Sequence, residues 1–219
     1  MNKLLTSMFA LAVASVTAIS AHAQEIKGDA KAGEQKIAMC IGCHGIKGYQ
    51  ASFPEIYRVP MISGQNAKYI VASLNAYKKG ERKHPTMRGI ADTLTEQDMA
   101  DLGAYYEQHG NIKPVTTAPK APDAKVAALL QKGACISCHG DNFNKPIDPS
   151  YPKLAGQHKD FLFVALKSYK VENQSTWGRN NGVMGGIAKQ FTNAELKAMS
   201  AYIASLDGEM KVIPQSRFR

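Results

Sequence analysis

From Ala67 the apolar positions recur three and four residues apart: Ala67, Ile70, Val71, Leu74 and Tyr77. That spacing lines one face of a helix. Asn66 stands at its N-cap position and Gly80 at its end. A second stripe, Met99, Leu102 and Tyr105/Tyr106, follows Thr95-x-x-Asp98 and stops at Gly110. Thr95-x-x-Asp98 is a capping box with Asp in place of the usual Glu or Gln. An earlier helix, capped by Asp29, is predicted to run on into Ala38–Gly45, AMCIGCHG. The same order then returns. Asp123 opens a helix, and Phe161, Ala165, Leu166 and Tyr169 make a stripe. Thr192-x-x-Glu195 opens a helix that buries Leu196, Met199 and Tyr202/Ile203 and stops near Gly208. No segment sustains the alternation of a half-buried strand. The pattern predicts an all-α chain of helices joined by long loops.

The return of the pattern is an internal repeat. AMCIGCHG at 38–45 is matched by GACISCHG at 133–140, an offset of 95. Ser63-Gly64-Gln65 answers Ala155-Gly156-Gln157 at 92, and Met87-Arg88-Gly89-Ile90-Ala91 answers Met184-Gly185-Gly186-Ile187-Ala188 at 97. The drift in offset marks loop insertions. Between the halves, NIKPVTTAPKAP (111–122) has three prolines and no apolar period. It reads as an extended linker. The division is therefore 1–23 leader, 24–110 first domain, 111–122 linker, 123–208 second domain and 209–219 basic tail.

The leader reading rests on Lys3, an uncharged and mostly apolar run from Leu4 to Ser20, and Ala21-His22-Ala23 before Gln24. This is the order of a secretory signal peptide. A retained membrane anchor is the alternative, but the run falls short of the ~20 residues a bilayer span needs. Export, with removal of the leader, is the expectation. Without the leader the chain has 26 basic and 18 acidic residues, a formal +8. A basic exported chain with no dense Lys/Arg run does not point to nucleic acid. The charge is uneven: +2 over 24–113 and +6 over 114–219. It predicts a dipolar molecule that docks through a lysine-bearing face.

Four cysteines in an exported protein would ordinarily suggest disulfides. Here they form two C-x-x-C pairs, each followed directly by His44 or His139. A redox dithiol needs no adjacent His and expects a βαβ pattern, which is missing. A four-cysteine zinc site brings its pairs within ~15–20 residues, whereas 91 residues separate Cys43 from Cys135. C-x-x-C-H is the attachment signature of c-type haem. One helical turn sets the two thiols at about the separation of the two vinyl groups, and the next residue points beneath the iron. Cys40/Cys43 and Cys135/Cys138 are thus expected to hold two covalently bound haem c groups, with His44 and His139 as proximal iron ligands.

A methionine on the other face of the iron raises its potential and suits electron transfer. Comparing the halves sorts the candidates. Met61 falls opposite Lys153, Met99 opposite Leu196, Met199 opposite Leu102, and Met39 opposite Ala134. His84 falls opposite Asn181 and His158 opposite Asn66. Only Met87 and Met184 match each other, and both are expected in a loop before the last helix. They are the expected distal ligands. His84, three residues from Met87, is the rival and is otherwise a solvated loop residue. His109 and His158 are expected on helix surfaces. The Gly–Gln pairs and Trp177 are open to two readings, as donors near the haem or as packing.

Taken together, the two Cys-x-x-Cys-His units, the Gly64-Gln65 and Gly156-Gln157 pairs, and Met87 and Met184 resemble the dihaem cytochrome c4 family. The resemblance covers nearly all of the chain after the leader. It implies two class I cytochrome c domains related by a pseudo-two-fold axis, with haem propionates meeting near the interface. It also implies a periplasmic, loosely membrane-associated protein; two six-coordinate haems would leave no open iron position for a substrate, so a monomeric carrier and not an enzyme is expected. Its partners would be a cytochrome bc complex as electron donor and a terminal haem–copper oxidase as acceptor. YQASFPEIYRVP (49–60) lengthens the first half, and Gly185 replaces Arg88, so the two haem pockets are expected to differ electrically. Two alternatives stay open: the dihaem electron-transfer subunit of a flavocytochrome or dehydrogenase, and a dihaem peroxidase with one weakly held ligand.

Overall fold

Asp29 caps the first helix by accepting from the amides of Lys31 and Ala32. The computed structural model describes residues 26–215, so the leader and the Arg217-Phe218-Arg219 end lie outside it. The first half contains α1 (Ala30–Glu34), α2 (Ala38–His44), β1 (Gln50–Ala51), β2 (Tyr57–Arg58), α3 (Ala67–Lys78), β3 (Arg82–Lys83), α4 (Pro85–Asp92) and α5 (Glu96–Gln108). The second contains α6 (Ala124–Lys132), α7 (Cys135–His139), α8 (Lys159–Ser168), β4 (Gly178–Arg179), α9 (Gly182–Ala188) and α10 (Asn193–Ala204). The all-α reading holds, with four two-residue strands added. The expected continuous first helix is instead α1 and α2. Tight bonds from Gln35 to Ala32, Lys36 to Gly33 and Cys40 to Ile37 close a turn between them.

Both capping boxes form, Thr95 with Asp98 and Thr192 with Glu195. Asn66 does not cap α3 as expected. Its side-chain amide donates to Tyr151 O at 3.1 Å, across to the second half, while Glu107 from α5 takes the Ala67 amide. A partner from the other half displaces the local cap.

Each half has its own core. The first gathers Ile70, Leu74, Met99 and Leu102, and the second Phe143, Leu162, Leu196 and Met199. α1 crosses α5 so closely that Gly33 lies against the Asp101 backbone. The buried Asp101 carboxylate locks this crossing. It accepts from the Asp29 amide at 2.8 Å, Lys36 Nζ at 2.6 Å and Gln97 Nε2 at 2.8 Å.

Burial would raise the Asp101 carboxyl, but Lys36 and the two other donors outweigh it and hold it below the usual range. A depressed folded-state pKa stabilises above the unfolded value of about 4 and loses that contribution as pH falls through the folded value. Asp101→Asn is therefore expected to cost the first domain about 2 kcal/mol at neutral pH. The cost should shrink as acid protonates the native carboxylate. Thermal melts of both proteins from pH 7 down to pH 2 check this; a pH-independent difference contradicts it.

The halves meet along a polar seam. β3 pairs antiparallel with β4, setting Arg82 opposite Arg179 and Lys83 opposite Gly178. Arg58 pairs with Asp160 at 3.0 Å and Lys167 with Glu55 at 2.6 Å across it, and Lys153 pairs with Glu209 of the tail at 2.9 Å. The segment after 208 packs into this seam: Glu209 and Met210 are buried, and the Lys211 amide donates to Ser63 O. Gly64, at φ +86°, touches it; a Cβ there would stand 2.1 Å from Glu209 O.

Candidate functional site

α2 puts Cys40, Cys43 and His44 on little more than one helical turn, and α7 does the same for Cys135, Cys138 and His139. None of the four cysteines is in a disulfide, and burial pushes the Cys40 and Cys135 thiols up. Among the described residues no three His, Cys, Asp or Glu side chains gather as a metal-holding group. The two cysteine pairs therefore do not converge on one four-thiolate centre.

The two histidines are held alike. His44 Nδ1 donates to Pro60 O at 2.8 Å, and His139 Nδ1 to Pro152 O at 3.3 Å. Burial holds both below the ordinary histidine range, against the pull of those carbonyls. Each imidazole is thus neutral, fixed as one tautomer, and offers Nε2 as a lone-pair donor. That is the state in which a histidine ligates a metal.

Met87 and Met184 are the third residues of α4 and α9, not loop residues as expected. Pro85 starts α4 with its missing donor where none is needed. His84 Nδ1 accepts the Met87 amide at 3.4 Å, and Asn181 Oδ1 accepts the Met184 amide at 2.9 Å. His84 is thus a helix cap, half-buried beside Phe53, and not the solvated residue expected. Met87 packs against the first core, which Cys40 also borders. On α9, Gly182, Gly185 and Gly186 line a surface cleft of about 710 Å³, Ile187 borders the second core, Ala188 is buried, and Met184 is half-buried.

The remaining methionines have other places. Met99 and Met199 are core residues, Met61 and Met210 lie buried at the seam, and Met39 is exposed. His109 and His158 are half-buried, not surface residues: His109 bonds Ser63 Oγ and stacks on Tyr105, and His158 stands at the start of α8. Arg88 faces solvent and pairs with Asp92, so its replacement by Gly185 alters the surface charge.

Sequence reading missed Arg82 and Arg179. The two guanidiniums are set opposite each other in the β3–β4 pair. Arg82 reaches Ser73 Oγ at 2.6 Å, Tyr69 Oη at 3.3 Å and the Tyr77 ring; Arg179 lies over Tyr169 and Phe161. Neither has an ion pair with a carboxylate among the described residues, and the buried Nε of Arg82 has no partner. Burial would raise the Tyr69 phenol, yet the two charges bring it down to about 8. Like charges facing across strands are unfavourable without an intervening anion. Haem c brings carboxylates of its own. With paired free thiols, an oriented imidazole and a thioether in each half, the residues present fit that group. Arg82 and Arg179 stand five residues before Met87 and Met184, on the same offset of 97, so aligning the halves once more would have found them.

The cytochrome c family profile matches residues 30–109 and 124–207. Cytochrome c4 of Stutzerimonas stutzeri is 32% identical, over 94% of this chain and 100% of the relative. The chain belongs to the cytochrome c family, among the dihaem cytochromes c4. The crystal structure of reduced recombinant cytochrome c4 from Pseudomonas stutzeri has 28% sequence identity and a TM-score of 0.60, covering 82% of this chain and 100% of that one. The thiosulfate dehydrogenase electron acceptor of Stutzerimonas stutzeri strain A1501 is 27% identical, over 88% of this chain and 89% of the relative. As a cytochrome c4 the protein carries two covalently bound haem c groups and transfers electrons.

Proposed function

We propose that this cytochrome c4 is an exported, periplasmic single-electron carrier from a cytochrome bc complex to a terminal haem–copper oxidase. Its domains are 24–110 and 123–208, after removal of residues 1–23. Cys40, Cys43, Cys135 and Cys138 form the thioether links; His44 and His139 are the proximal and Met87 and Met184 the distal ligands. The observation that carries this reading is the twofold occurrence of one arrangement. Each half has an imidazole fixed through Nδ1 by a proline carbonyl, and a methionine fixed by an N-cap that holds its amide. Haem c supplies a reversible one-electron couple. His44 with Met87, and His139 with Met184, would hold the group in each half and would leave a substrate no place on it, and burial holds the two imidazoles neutral. Outer-sphere transfer is the chemistry such a site supports.

The test is a redox titration followed optically, then turnover with a bc complex and an oxidase. Two low-spin haems with the weak long-wavelength band of a Met–ferric bond are expected, with turnover that slows as salt screens the basic surface. A high-spin resting fraction that consumes peroxide would favour the peroxidase instead. The resemblance to a thiosulfate dehydrogenase electron acceptor supports a second reading, in which a dehydrogenase is the donor. Faster reduction by thiosulfate dehydrogenase than by a bc complex would decide for it.

A further inference from the structure

We infer that the proximal ligand of each haem is positioned by a glutamine from the other domain: His44 through Gln157, and His139 through Gln65. The inference rests on the ligand assignment proposed above. The carbonyl that holds His44 belongs to the Pro60–Met61 peptide. The other end of that peptide is the Met61 amide, which donates to Gln157 Oε1 at 3.0 Å, while Gln157 Nε2 donates to Met61 O at 3.0 Å. The second half repeats this with the roles exchanged. His139 hangs from the Pro152–Lys153 peptide. The Lys153 amide donates to Gln65 Oε1 at 2.9 Å, and Gln65 Nε2 donates to Lys153 O at 3.0 Å.

Both glutamines are buried, 4% and 3% exposed, and saturated. Each Oε1 also accepts the amide that follows its own residue, Asn66 or His158. Each Nε2 also reaches Met210 Sδ, at 3.2 Å from Gln65 and 3.7 Å from Gln157. A peptide is planar and polarises as a unit. A bond accepted from its N–H therefore strengthens its carbonyl as an acceptor and fixes its plane. Partners beyond the ligand orient the imidazole and raise its basicity, which favours the oxidised metal. Each glutamine thus acts on the potential of the haem in the opposite domain.

The experiment uses the full holoprotein. Paramagnetic NMR first confirms two His/Met low-spin haems; if it does not, the ligand assignment fails and not this inference. Titration then follows each haem separately. Gln157→Leu is expected to raise the potential of the first haem, shifting its equilibrium about tenfold, or 59 mV for one electron, and to leave the second within about threefold. Gln65→Leu should do the reverse. Gln157→Met and Gln65→Met replace any leucine variant that fails to load both haems. Arg58→Ala opens a different seam contact and should shift neither. If a variant moves mainly its own domain's haem, or both alike, or neither, or if Arg58→Ala reproduces the effect, the crossed positioning is wrong.

Discussion

Met184→His lowers the potential of the second haem by roughly 0.2 V, about a quarter of the ~0.8 V over which axial ligands set haem potentials. A thioether stabilises the reduced metal and an imidazole the oxidised one, which is why Met/His sites sit high. The site tolerates the change. Asn181 caps the amide of residue 184 whatever its side chain, and the inner face of α9 is already turned towards the core by Ile187 and Ala188. No other histidine belongs to α9 or its cap, so a second ligand cannot blur the result. The first haem should stay within a few tens of millivolts, because its proposed methionine ligand, Met87, lies on α4. Met87→His should give the mirror result. The measurement is a potentiometric titration with the Met–ferric band followed for each haem. If neither substitution moves a potential, the distal assignment is wrong.

Gly33→Ala unfolds the first domain well below the temperature at which the second is lost. A Cβ at Gly33 would stand 2.2 Å from Asp101 O, 2.7 Å from its carbonyl carbon and 2.8 Å from Tyr105 Cβ. Two of these are backbone atoms of α5 and the third is bonded to it, so no side-chain rotation relieves the clash. Relief means lifting α1 from α5, which pulls the Asp29 amide and Lys36 away from the Asp101 carboxylate. The expected cost is about 3 kcal/mol, the upper end for overpacking a tight contact. In a domain of this size that is a fall in Tm of roughly 12–24 °C. Gly89→Ala is the control. Nothing lies within 4 Å of a Cβ at Gly89, inside α4. There the gain in helix propensity should add up to about 1 kcal/mol. Equal effects at the two positions would contradict the crossing geometry.

The residues of the chemistry were legible because they are bound by short chain spacing. Cys40, Cys43 and His44 fall on one turn wherever that helix sits, and the second copy repeats them. The repeat also did what no single half could do. It singled out Met87 and Met184, the proposed distal ligands, from methionines such as Met99 and Met199, which lie in the two cores with leucines. Where expectation missed, a competing partner came from elsewhere. Asn66 left its own helix for Tyr151 O, and His84, expected in solvent, became the cap that holds Met87. The predicted loops at 87 and 184 became short helices because Pro85, His84 and Asn181 supply the start signals of a helix within three residues.

The sequence alone determined the helical class, the two-domain repeat and the covalent cofactor, and it supplied the residues proposed to hold it. Each of these depends on spacing along a helix or on similarity between halves, and both survive without coordinates. Only the tertiary structure decided what joins the halves: Arg82 set against Arg179, the glutamines exchanged across the seam, and Met210 between them. These glutamine contacts join residues 53 to 145 apart along the chain. Nothing in local propensity selects such pairs. They form because two buried faces, each carrying amide groups that water can no longer reach, can satisfy them only on one another.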